Sequence, residues 1–216
     1  MESEEERRRG ERQMAVLEMV DALEKRWLGD LKRRRPIDDI IDEVRQRFRE
    51  ARGEERQQLA GVYTSFLIRA RREPETLQVV DAMIDELPDD VRFPIKKAFL
   101  FHYMLNDPES ALPSIDLALE RAYRSGLFRR EALGAKARIL LTLGRGQELS
   151  DVLEQIMSMQ MIKGVADIGR ERDFVDRAPP GLISEDVLRR YNEFRPKRAS
   201  DGMEDMPPQW EPPEWE

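Results

Sequence analysis

Two short proline marks constrain this chain more than any other feature. Glu73-Pro74-Glu75 and Asp107-Pro108-Glu109 each stand before a run of apolar residues at three-and-four spacing, and the two prolines are 34 residues apart. Each mark is a helix start. A proline at the first helical position gives up an N–H that has no partner there, and an acid beside it faces the positive end of the helix dipole. Asp107 can also accept a hydrogen bond from one of the orphan amides. After Pro108, residues Ala111, Leu112, Ile115, Ala118, Leu119 and Ala122 make one apolar face. Before Asn106, residues Phe93, Ala98, Phe99, Phe101, Tyr103, Met104 and Leu105 are apolar all round, which predicts a helix covered on more than one side. Asp90 to Gly126 therefore reads as a helical hairpin.

The same alternation runs through most of the chain. Met14, Leu17, Val20, Ala22, Leu23, Trp27 and Leu31 predict a first helix ending by Arg35, since Pro36 pushes its predecessor out of the helical region. Ile37, Ile40, Ile41, Val44 and Phe48 form the stripe of a second, with Gly53 as its stop. A third runs from about Glu54 to Arg71 on Leu59, Val62, Tyr63, Phe66, Leu67 and Ala70, and Pro74 opens a fourth with Leu77, Val80, Met83, Ile84 and Leu87. A further pair covers about 128–143 and 147–160, turned at Gly144-Arg145-Gly146, but here the step from Pro108 to Gln147 is 39 residues. Beyond it, Gly164, Gly169, Pro179, Pro180 and Gly181 predict an extended segment, followed by a short helix with Val187, Leu188, Tyr191 and Phe194.

Composition agrees with an all-α chain. Of 216 residues 40% are apolar, enough for a core, and 38% are charged against roughly 25% in ordinary soluble domains. Most of that charge is Arg and Glu, which favour helix. The formal charge of −7 is lopsided: residues 199–216 hold six acids and no Lys or Arg, so the body is nearly neutral. A neutral body gives little electrostatic footing for nucleic acid, and none is expected as a partner. No cysteine is present, which removes disulfides and thiolate metal sites. Met1 to Gln13 is charged where a secretory signal needs an apolar core, and no run approaches the roughly 20 apolar residues of a membrane span. The expectation is a cytoplasmic protein without membrane insertion.

Helix pairs repeating at 34 residues resemble the tetratricopeptide repeat, over about residues 54–160. Ala111, Ile115 and Ala118 fall where that family places its small, bulky and small second-helix residues. Leu77 and Ile84, and Leu149 and Ile156, hold the small positions of the flanking pairs, and Ile95, Ala98, Phe99 and His102 stand where the first-helix signature would be. Pro113 lies inside the second helix and should bend its first turn. The resemblance implies a short right-handed solenoid of three antiparallel hairpins. Residues 11–53 would be two N-terminal helices, 161–198 an extended segment and capping helix, 1–10 a flexible charged start and 199–216 a disordered tail. It also implies a concave groove, toward which the first helices would turn Phe66, Arg69, Lys96, Leu100, Tyr103, Arg138 and Leu141. Cations beside aromatics suit an acidic, extended peptide; the other reading is that these are solvated positions on highly charged helices.

Candidate chemistry is sparse. Asp38-Asp39-Ile40-Ile41-Asp42 has the form by which class I isoprenoid synthases hold magnesium and a diphosphate, whereas acids after Pro36 are also what a helix dipole selects. His102 is the only histidine, so it reads as a partly buried, hydrogen-bonded side chain. Met157, Met159 and Met161 make either an adaptable lip or the end of a core. The tail ends in two near repeats, Pro207-Pro208-Gln209-Trp210-Glu211 and Pro212-Pro213-Glu214-Trp215-Glu216, which predict an extended docking motif anchored by Trp210 and Trp215 with Glu211 and Glu214. The alternatives are a tail packed on its own body or inert. The sequence thus predicts a non-catalytic protein-interaction adaptor, without cofactor, able to self-associate through its tail; the competing function is a magnesium-dependent diphosphate-binding helical enzyme.

Overall fold

The computed structural model describes residues 4–163 and 175–193, and among these every regular element is a helix. The first is α1, Glu4–Lys32. It begins inside the stretch expected to be flexible and ends where Pro36 predicts, with Arg34 in a left-handed turn (φ 66°). Next come α2, Ile37–Glu50, and α3, Gly53–Arg69. Helix α2 stops at Ala51, which is extended, so Gly53 is the left-handed hinge into α3 (φ 54°) and not the end of α2. Then follow α4, Glu73–Glu86, with Pro74 in its first turn, and α5, Arg92–Phe99, which runs on as a π-helical turn over Leu100–Met104. Helix α6, Pro108–Ser125, starts as predicted, the Asp107 carboxylate accepting the Ser110 N–H at 3.1 Å, and stops at left-handed Gly126 (φ 72°). It continues unbroken through Pro113. Helices α7, Arg129–Leu143, α8, Gly146–Lys163, and α9, Glu185–Glu193, complete the described chain.

The chain divides into two compact units between Ala135 and Lys136, inside α7. In the first unit each helix from α2 to α6 packs on the next, and α1 lies on α3. The centre is α3. With α1, α2 and α4 around it, it buries Leu59, Ala60, Val62, Tyr63, Phe66 and Leu67, and its aromatics interlock with their neighbours: Trp27 meets Phe66 edge-on at 6.3 Å and Phe48 meets Tyr63 at 5.5 Å. Burying side chains of this size stabilises by about 1.5–3 kcal/mol each.

Polar side chains tie neighbouring elements together. Arg45 of α2 donates from Nε to the Tyr63 hydroxyl (2.8 Å) and from Nη2 to Glu75 (2.8 Å), while Tyr63 donates to Glu75 (2.6 Å). Partial burial pushes the Glu75 carboxyl up, but these hydrogen bonds with Tyr63 and Arg45 hold it below its ordinary value. Buried Arg121 of α6 donates to the carbonyls of Leu87 and Asp90 (3.0 Å each) and Ile84 (3.1 Å), placing a cation at the negative end of α4. In the second unit α9 packs on α8, tied by the Ser184 N–H to Ser150 Oγ at 3.1 Å and by an Arg190–Glu154 ion pair. Gly146 is needed there: a Cβ would collide with the Leu182 carbonyl oxygen, so the Gly144-Arg145-Gly146 turn has a packing role beyond reversing the chain.

Candidate binding surface

The seven residues assigned to a groove separate by burial. Phe66 and Leu100 are 1% and 0% exposed, so they are core residues and line no groove. For Phe66 the reason is α1, which packs on α3; Leu100 lies in the same buried cluster. Lys96 is also corrected. Its ammonium donates to Thr64 Oγ1 at 2.7 Å and to the Gly61 carbonyl at 3.2 Å, cross-linking α5 to α3. Burial pushes its pKa down to about 8, with the Glu24 carboxylate opposing the shift and the Arg92 guanidinium adding to it. A lysine engaged in this way offers no charge to a ligand.

Arg69 and Tyr103 remain on the surface. Tyr103 is 53% exposed and lies against Phe99, itself exposed, with ring centroids 4.9 Å apart. Leu105 beside them is exposed as well: the helix is covered on more than one side, by α4 and α6, as predicted, and leaves this side to water. The π-helical turn produces the display. Asp107 precedes Pro108 and must leave the helical region, Asn106 takes the left-handed conformation that asparagine tolerates (φ 52°), and the last turn widens so that the Leu105 N–H reaches the Leu100 carbonyl at 3.0 Å. Buried His102 stacks on the inner side of Tyr103 at 4.2 Å. Turns of this kind recur at functional sites. No sequence signal marked it, because Phe93 to Leu105 reads as ordinary apolar helix.

Arg138 and Leu141 are half-buried on α7, in the second unit. Met157 is buried on the α8 stripe and so belongs to a core. Trp210, Glu211, Glu214 and Trp215 lie outside the described residues. Of the acidic motif, Asp38 faces Arg72 at 3.6 Å and Asp42 faces Arg45 at 2.7 Å. Among the described residues no three His, Asp or Glu side chains gather to hold a metal ion, and no helix is long and apolar enough to cross a membrane.

No family model, curated protein or solved structure matches this chain. Its own internal spacing is therefore the basis for a functional reading.

Proposed function

We propose that the protein is a non-catalytic interaction adaptor of tetratricopeptide-like hairpins, taking an extended or acidic segment over Arg69, Phe99 and Tyr103 and docking elsewhere through Trp210 and Trp215. The exposed Phe99–Tyr103 pair carries the reading. Two aromatic rings left partly in water on a folded unit gain little for stability there, whereas aromatic and arginine side chains supply most binding energy at interfaces. The repeat frame is supported by ties at the right separation: Lys96 to Thr64 spans 32 residues and Arg121 to Leu87 spans 34. Arg69 and Tyr103 are 34 residues apart and both exposed; Phe66 and Leu100 are also 34 residues apart and both buried.

Co-purification from the native host tests the reading with the full chain, Arg69→Ala, Tyr103→Ala and Trp210→Ala/Trp215→Ala. The first two variants are expected to lose one partner set and the third another. Partner sets identical to the parent's in all three would overturn it. The magnesium alternative is tested by diphosphate binding, which must depend on magnesium and vanish in Asp38→Asn/Asp42→Asn; no magnesium effect in the parent ends that line.

A further inference from the structure

The turn from α6 to α7 has a composition that its fold does not call for. From Arg121 to Arg130 the chain reads RAYRSGLFRR, four arginines and no acid. Arg121 is spent inside, capping α4. The others stand beside Tyr123, Leu127 and Phe128, which are 48%, 62% and 43% exposed. Arg129 lies over the Tyr123 ring at 4.1 Å and donates to its hydroxyl at 3.2 Å, so a neutral phenol holds this cation in place. Arg124 is exposed and approaches its acids, Asp89 and Glu120, no closer than 3.8 and 3.7 Å. Phe128 is the most telling residue. Its φ is 56°, a backbone conformation that bulky L side chains seldom adopt. A turn selected only for stability would carry glycine at 128 and a polar residue at 127.

We propose that this corner docks the acidic segment 199–216 of a second copy of the chain. The complementarity is written in one sequence: Arg124, Arg129 and Arg130 at the corner stand against six acids without a base in the tail, and Tyr123, Leu127 and Phe128 offer an apolar seat to Trp210 and Trp215. Pro207, Pro208, Pro212 and Pro213 are residues that favour an extended chain, and such a preference lowers the ordering cost of binding. Corner and tail are different surfaces, so the contact is heterologous. Two copies that exchange tails close into a dimer, and copies that do not close form longer chains. The inference rests on the tail being a docking motif, as proposed above, and is independent of the Tyr103 surface.

Sedimentation velocity of the full chain across a concentration series tests it. Association is expected to rise with concentration, to weaken with added salt, and to be dispersed by excess synthetic peptide 199–216 but not by the same peptide with both tryptophans replaced by alanine. Arg129→Glu and Trp210→Ala/Trp215→Ala are each expected to weaken association about tenfold or more. Mixing those two variants should restore a one-to-one complex, because the intact tail of one meets the intact corner of the other. Phe128→Gly, which suits the left-handed backbone, is expected to weaken association while folding normally. A parent that stays monomeric, or a variant mixture that does, overturns the proposal. If the tryptophan variant still loses its co-purifying partners while the parent is monomeric, the docking motif stands and the pairing of copies fails.

Discussion

Helices α3 and α5 stand 34 residues apart in register, yet one is enclosed and the other is half bare. At matched positions both bury an apolar side chain, Phe66 in α3 and Leu100 in α5. One residue earlier and three residues later they diverge: α3 has Ser65 and Arg69, while α5 has Phe99 and Tyr103. Helix α1 packs on α3, so α3 has an extra neighbour for its apolar surface and still keeps polar groups where it meets water. Helix α5 does the reverse, placing rings in water. The two helices agree in the buried residue but not in this outer choice, so Phe99 and Tyr103 need a reason outside the fold.

The comparison breaks most readily at its buried end. Phe66→Ala is expected to cost about 3–5 kcal/mol of unfolding free energy, since it opens a cavity against Trp27. Leu100→Ala should cost about 2–5 kcal/mol by the same mechanism. Urea denaturation measures both, and a loss below about 1 kcal/mol at either position, the range of surface changes, would show that the two helices do not share an inner face.

Lys96 ties the two helices together and supplies the next largest effect. Its pKa is lowered to about 8 in the folded chain from an unfolded value of 10.5. Below pH 8 both states carry the charge and the folded state bears its full burial cost. Between about 8 and 10.5 the unfolded state holds more protons, so stability rises with pH by about 3 kcal/mol. Lys96→Met is expected to be more stable than the parent at pH 7 and to lose this rise. A parent curve that is flat or falling over that window would mean the ammonium is not buried against α3.

Arg121 tests whether the second helices are joined as the first ones are. Arg121→Met keeps most of the volume but removes the donor to the Ile84 and Asp90 carbonyls, while the Leu87 carbonyl keeps the Asp90 N–H, and a loss of about 1–3 kcal/mol is expected. Thermal unfolding gives the answer, and an unchanged midpoint would remove the link between α4 and α6.

Helix boundaries were legible because their signals are local. Pro36, Pro74 and Asp107-Pro108 act within one turn of chain, and each start or stop they predict is where the helix begins or ends, whereas Gly53 opens α3 instead of ending α2. The binding surface was less legible because exposure is decided by what packs on a residue from far along the chain. Repeat register alone points Phe66 and Leu100 toward a groove, and it carries no information about what packs on either residue. Lys96 read as a surface cation because nothing in its neighbours announces Thr64 and Gly61, more than thirty residues earlier. Gly146 read as a turn residue, although the constraint on it comes from Leu182.

The smallest stability effect sharpens the comparison most. Tyr103→Ala removes a side chain that is half in water and touches Phe99 and His102, so its cost should stay within about 0.5–1.5 kcal/mol, the worth of an aromatic pair. Phe99→Ser, which gives α5 the residue α3 carries at the matched position, should be tolerated about as well. If both variants unfold like the parent to within that range yet lose the partner that the parent co-purifies, the rings are there for binding. If Tyr103→Ala costs as much as Phe66→Ala, the rings are structural after all, and α5 differs from α3 only in how its core reaches the surface.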